Sequence, residues 1–266
     1  MTVGSSPNRG GGRDRVTGAQ RYVADIPIAD ALHVKVVTVD AARARIRSID
    51  ASAALAVPGV QAVFSAADLP SPMPRFGPQM RDRPVIADGE TKYHGDPVAA
   101  VAADTEDLAE HGAALVRVDY ESLPAVTSIA ASLAPDAPLV QDPSLRPDDP
   151  RATTNVLREH RYAWGDLEAA EHEAQCVVET TTRFPMVTQF AIEPHAFAAA
   201  PDGDGIVVWS SIQHPNWLQR VIASVLDLPL SKVRILAPDP GGAFGGKQHA
   251  KYEPLLAFMA LRLGRP

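Results

Sequence analysis

Apolar and polar positions alternate along this chain in short runs that predict strands separated by a few helices. Segments 32–39, 44–49 and 60–64 place branched or aromatic residues at period two and read as strands. Residues 97–103 form an unbroken apolar run, the pattern of a strand covered on both faces. Asp104-Thr105-Glu106-Asp107 then offers a cap and first-turn acids for a helix, and 114–120 returns as a strand, which predicts a β-α-β unit. In the second half, 176–180 and 179–184 read as strand, with Cys176 as a small buried apolar residue. A hairpin follows, 196–200 against 206–209 across Pro201-Asp202-Gly203-Asp204-Gly205. Pro215 opens a helix whose Leu218, Val221, Ile222, Val225 and Leu226 share one face, and Pro229 ends it. A strand at 232–237 and a helix at 251–263 complete a mixed α+β pattern.

Proline and glycine punctuate this order. Residues 1–14 lack apolar periodicity and predict a mobile tail. Pro70, Pro72, Pro74, Pro78 and Pro84, interleaved with Arg75, Arg81 and Arg83, make 69–84 a stiff surface loop, with a loop docking on a partner subunit or covering a cofactor as the alternative. Pro135, Pro138, Pro143, Pro147 and Pro150, interleaved with aspartates, predict an extended linker. The expected organisation is therefore a tail at 1–14, a first domain at 15–134, a linker at 135–155 and a second domain at 156–266.

Composition narrows the chemistry. The 266 residues are 45% apolar and carry a net charge of −7, which argues against nucleic acid or an anionic membrane surface as partner. The first residues have neither the charged start nor the apolar core of a signal peptide, and no apolar run is long enough for a membrane span, so a cytoplasmic setting is expected. The single cysteine excludes an internal disulfide and cannot supply the thiolates of an iron–sulfur cluster. The eight histidines are scattered, with no metal-binding spacing among them.

The chemistry concentrates in Pro240-Gly241-Gly242-Ala243-Phe244-Gly245-Gly246-Lys247-Gln248. Four glycines in six positions strip a short loop of side chains, so its backbone N–H groups can approach a ligand closely. Lying between a strand and a helix, the loop also predicts an anion site at the helix N-terminus. Gly241 to Lys247 satisfies G-x-x-x-x-G-K, but Gln248 replaces the Ser or Thr that holds Mg²⁺ in a nucleotide phosphate loop. Only 18 residues follow Gln248, too few for the rest of a P-loop nucleotide-binding domain.

The same residues resemble the Gly-Gly-(small)-Phe-Gly-Gly-Lys signature of the molybdenum hydroxylases, the xanthine dehydrogenase and aldehyde oxidoreductase family, in their molybdopterin-binding large subunit. Further stretches support the resemblance in the family's order: Gly18-Ala19-Gln20-Arg21-Tyr22-Val23-Ala24-Asp25-Ile26, Pro58-Gly59-Val60-Gln61-Ala62-Val63, Gly95-Asp96-Pro97-Val98-Ala99-Ala100-Val101, Asp119-Tyr120-Glu121-Ser122-Leu123-Pro124, Glu193-Pro194-His195 and Ser210-Ser211-Ile212-Gln213-His214-Pro215. It implies an α/β hammerhead-like domain followed by the start of a mixed α+β molybdopterin-binding domain. It also implies hydroxylation of an aldehyde or N-heterocycle with oxygen from water. The metal is then held by a molybdopterin, of which the cytosine dinucleotide is one form, and not by a side chain.

Under the resemblance, Gly242, Ala243, Phe244, Gly245 and Gly246 approach the cofactor, with Ala243 where a third glycine is common. Gln213 matches a glutamine that hydrogen-bonds an oxygen ligand of molybdenum, and Phe244 lies near the metal. Gln248 stands where xanthine-oxidising members carry a Glu that contacts the purine, so the substrate is expected to be an aldehyde or another heterocycle. Glu193-Pro194-His195 could offer a carboxylate and an imidazole as acid/base groups, but the family's general base belongs to the far C-terminal part, so it reads first as a proline-fixed turn bracing the cofactor region. Partners implied are an iron–sulfur subunit carrying [2Fe-2S], an FAD subunit and a chain completing the molybdopterin domain, without which this polypeptide is expected to be inactive. A non-catalytic assembly scaffold is the alternative within the family.

Overall fold

The computed structural model describes residues 3–266 and divides into two compact units, one formed by Met1–Ala125 with Gln189–Pro266 and the other by Val126–Thr188. The helices are α1 (Gly12–Thr17), α2 (Ser52–Leu55), α3 (Glu106–Leu115), α4 (Ile129–Ser132), α5 (Leu167–Glu173), α6 (Pro215–Leu226) and α7 (Glu253–Leu263). The strands are β1 (His33–Val37), β2 (Ala44–Asp50), β3 (Val60–Ser65), β4 (Arg75–Phe76), β5 (Arg83–Pro84), β6 (Glu90–Thr91), β7 (Ala99–Ala103), β8 (Arg117–Ser122), β9 (Phe197–Asp202), β10 (Gly205–Ser210) and β11 (Val233–Leu236). The class is α+β, as the pattern of apolar positions predicts.

In the first unit, β7 is the middle strand of an antiparallel sheet, β1-β7-β3, and is buried along its whole length. Its alternate residues feed two different cores: Ala100 and Ala102 face one apolar cluster, Ala99 and Val101 the other. Small side chains suit a strand covered on both sides. Helix α3 approaches closely because Gly112 lacks a Cβ, which would stand 3.0 Å from methyls of Val101 and Val60. Strand β8 does not join β7. It pairs with β2 in a separate sheet, β6-β2-β8, so the expected β-α-β unit is a crossover between two sheets.

The third sheet positions the candidate site. β9 and β10 form the expected hairpin, turning at Gly203 with φ +62°. β10 then runs parallel to β11 through the crossover helix α6, whose Leu218, Val221, Ile222, Ala223 and Val225 are buried. Helix α7 packs on this sheet and buries residues on most of its circumference, including Leu255, Phe258 and Met259. Two signature stretches thus leave neighbouring parallel strands: Ser211-Ile212-Gln213 follows β10, and the glycine loop follows β11.

The second unit corrects several expectations. Residues 174–188 form no strand, and Cys176 is exposed, as are Val177, Val178 and Phe184. A strand needs a hydrogen-bonded neighbour, and among the described residues this stretch has none. The proline-rich segment 135–155 lies inside this unit and is folded into turns around the buried Arg146. Its guanidinium donates to the carbonyls of Ala152, Thr154 and Val156. In the first unit, the expected tail holds the start of α1, where Arg15 pairs with Asp239; its first two residues lie outside the described ones. The proline-rich loop 69–84 likewise contains the short pair β4-β5, with Phe76 buried.

Candidate functional site

The glycine loop is held at both ends by one carboxylate. Glu193 Oε2 accepts the N–H of Gly241, the first loop residue, at 2.7 Å, and the ammonium of Lys247, the residue after the last glycine, also at 2.7 Å. The Lys247 and Glu193 side chains are 3% and 8% exposed, so the pair is shielded from water and from salt. Glu193 also donates its own N–H to the Gly241 carbonyl. These contacts close a buckle across the loop. The reading of Glu193-Pro194-His195 as a brace agrees with this geometry.

Behind the buckle, close packing explains the glycines. A Cβ at Gly241 would stand 2.6 Å from the Glu193 Cβ and 3.0 Å from the Tyr22 ring, and one at Gly246 would stand 3.2 Å from both the Ala243 carbonyl and the Gln189 amide oxygen. Gly242 and Gly245 have φ of +101° and +87°. Phe244 adopts φ +48°, uncommon for a residue with a side chain, and its ring is 75% exposed. The chain therefore turns sharply and presents Phe244 outward. Gly246 N–H closes the turn on the Ala243 carbonyl at 2.7 Å.

The N–H groups of Gly242, Ala243, Phe244 and Gly245 donate to no acceptor among the described residues. Free donors on a bent backbone suit the oxygens and ring atoms of a polar ligand, although Ala243 itself is buried. The Gln213 N–H donates to the Lys247 carbonyl at 2.8 Å, which ties the two signature stretches together. Its side-chain amide is exposed and makes no hydrogen bond among the described residues. Gln248 is half-buried beside the turn, with its amide nitrogen 3.8 Å from the position of a Cβ on Gly245. All seven residues singled out from the sequence, Gln213, Gly242, Ala243, Phe244, Gly245, Gly246 and Gln248, thus fall on two adjoining segments.

Two expectations change. The loop does not run straight into a helix N-terminus, because α7 starts only at Glu253, whose buried carboxylate accepts the Lys251 N–H at 2.6 Å and places a negative charge in the helix's first turn. Lys247, the cation of the nucleotide-loop pattern, is buried against Glu193 and not offered to a ligand. His195 is exposed beside its neighbours, yet desolvation of its ring together with the charges of Lys251 and Lys247 holds its imidazole below the usual range. Among the described residues no cluster of three His, Cys, Asp or Glu side chains could hold a metal ion, and no helix is long and apolar enough to cross a membrane.

Sequence reasoning missed Glu253, which is 1% exposed and stands 43 positions from its partner Ser210. The one local hint is its place at the start of a helix, just before Pro254.

Known proteins are similar to this chain along most of its length. Residues 17–124 match the family model described as aldehyde oxidase and xanthine dehydrogenase, a/b hammerhead domain, and residues 148–266 match the molybdopterin cofactor-binding domain. The chain is 32% identical over 256 residues to one subunit of a probable xanthine dehydrogenase of Bacillus subtilis, covering 96% of this chain and 33% of that one. It is 31% identical to the nicotinate dehydrogenase large molybdopterin subunit of Eubacterium barkeri, with 95% and 57% covered. Among solved structures, quinoline 2-oxidoreductase from Pseudomonas putida 86 superposes with a TM-score of 0.87 at 30% identity, over 99% of this chain and 34% of that one. The chain thus spans between a third and somewhat over half the length of these relatives.

Proposed function

This chain belongs to the aldehyde oxidase and xanthine dehydrogenase family of molybdenum hydroxylases, and on that premise we propose that the buckled glycine loop and Gln213 cradle a molybdopterin cofactor. The observation that carries the reading is the row of free N–H donors from Gly242 to Gly245, set beside the unengaged Gln213 amide by the bond from Gln213 N–H to the Lys247 carbonyl. The residues fit such a group: backbone donors and a neutral amide bind its polar atoms without adding charge, and the open turn leaves room for close approach.

The activity we infer is hydroxylation of a carbon in an aldehyde or N-heterocycle. Water provides the oxygen, and two electrons and two protons are released. The cofactor, when bound, supplies the oxygen transfer and takes up the electrons. The chain's own residues bind and orient it. Gly242 to Gly246 would give it backbone contacts, Gln213 would donate a hydrogen bond, and the exposed Phe244 ring would offer it an apolar face. Gln248, adjoining Gly245, offers hydrogen bonds without a carboxylate's charge, which favours an aldehyde or a heterocycle other than xanthine. The electrons require acceptors elsewhere. One cysteine cannot ligate an iron–sulfur cluster, so we assign [2Fe-2S] and FAD to partner subunits.

The experiment is turnover in water enriched in oxygen-18, using the complete enzyme that contains this chain and a panel of aldehydes and N-heterocycles. The reading predicts the label in the hydroxylated product. Product formed with oxygen from O₂, or no turnover of any panel member by a metal-loaded enzyme, would overturn it.

A further inference from the structure

The buried Glu253 carboxylate has no part in the proposed cofactor contacts, yet it sits beneath both halves of the cradle. Its Oε1 accepts the Ser210 hydroxyl at 2.8 Å, and Ser210 Oγ in turn accepts the Ile212 N–H at 3.2 Å. Its Oε2 accepts the Lys251 N–H at 2.6 Å. Ser210 is the last residue of β10 and fully buried, as is Glu253 itself. The chain of bonds therefore runs from the segment after the glycine loop, through Glu253 and Ser210, to the residue just before Gln213. Gln213 is fixed again on its other side by the Lys247 carbonyl.

We propose that Glu253 is a positioning residue that sets the Gln213 segment at a fixed distance from the glycine loop, and so fixes where the Gln213 amide meets the bound cofactor. This rests on the reading of Gln213 and the loop as the cofactor cradle. A single carboxylate suits the task because its two oxygens accept from two chain segments at once. Methionine, of similar size but without such acceptors, holds neither of them, whereas glutamine can keep both by donating its NH₂ to Ser210 Oγ. Burial makes each bond costly to lose, since a freed donor finds no water. Glu253 acts through backbone and touches neither substrate nor metal.

The test compares wild type, Glu253→Met and Ser210→Ala in the complete enzyme, by metal content, amide hydrogen exchange and the electron paramagnetic resonance spectrum of the half-reduced metal. Wild type without molybdenum sinks the cradle reading itself, whatever the variants do. With wild type loaded, the proposal expects both variants to keep their molybdenum, to exchange the Ile212 and Gln213 amides about tenfold faster, as loss of roughly one buried hydrogen bond implies, and to show a shifted metal spectrum. Ser210→Ala cuts the same link from the other side, so it decides the matter if Glu253→Met does not fold. A lowered melting temperature with unchanged exchange at Ile212 and Gln213 and an unchanged spectrum makes Glu253 a general stabiliser and overturns the proposal.

Discussion

The buckle across the glycine loop makes a prediction that separates an ion pair from a mere contact. Replacing Lys247 with Met leaves the Glu193 carboxylate buried and charged. Its Oε1 already has no partner among the described residues, and its Oε2 keeps only the Gly241 N–H. An uncompensated charge at a side chain 8% exposed costs about 3–5 kcal/mol, because desolvation is no longer offset by the ammonium 2.7 Å away. Glu193→Gln costs a similar amount, about 3–5 kcal/mol, by stranding the Lys247 ammonium. The double variant removes both charges while the glutamine oxygen still accepts the Gly241 N–H, so it is expected to lose only about 1 kcal/mol. Urea unfolding of the purified protein and its three variants closes the cycle. The expected coupling between the two sites is at least about 2 kcal/mol. Single losses that simply add in the double variant, to within about 0.5 kcal/mol, would show that the two groups do not form a mutually dependent buried pair.

Two further outcomes follow from the same packing. Gly241→Ala puts a methyl 2.6 Å from the Glu193 Cβ, a clash that backbone and side chain must relieve; it is expected to destabilise the protein by about 1–3 kcal/mol and to speed proteolysis within 239–248, with unchanged cleavage there counting against the tight approach. Burial raises the Glu253 carboxyl above its ordinary value of 4.5, against the bonds from Lys251, Ser210 and its own N–H. The folded state then holds that proton more tightly than the unfolded chain does. Stability from this group is present below pH 4.5 and lost as pH rises through the raised value. Glu253→Gln should flatten that part of the stability–pH curve and leave the part due to Asp96, another carboxyl raised by burial; identical curves would contradict the assignment.

Periodicity makes much of the fold legible. Helix α6 is readable because it buries one repeating set of apolar residues between Pro215 and Pro229, and the hairpin β9-β10 and helix α7 because their apolar runs are bounded by Gly203 and Gly264. The failures have a common cause. Val177, Val178 and Thr180 favour a strand by composition, but a strand exists only with a paired neighbour, and the described residues supply none there. Arg146, which reads as part of a charged linker, instead gathers three carbonyls around itself, a contact that no local pattern announces.

The candidate site divides in the same way. The glycines of 241–246 and Gln213 stand out by residue type and motif, whereas their supports do not. Glu193 reaches Lys247 across 54 positions, and Glu253 reaches Ser210 across 43. Such pairs are set by the sheet: antiparallel β9 starts beside the end of β10, and parallel β11 ends beside it too, so the segments flanking these strand ends meet.

The central claim is that the loop and Gln213 cradle a molybdopterin cofactor. Its most direct test is to purify the complete enzyme containing this chain and determine molybdenum and released pterin per copy. The account predicts close to one of each. An intact, folded enzyme that contains neither would contradict it.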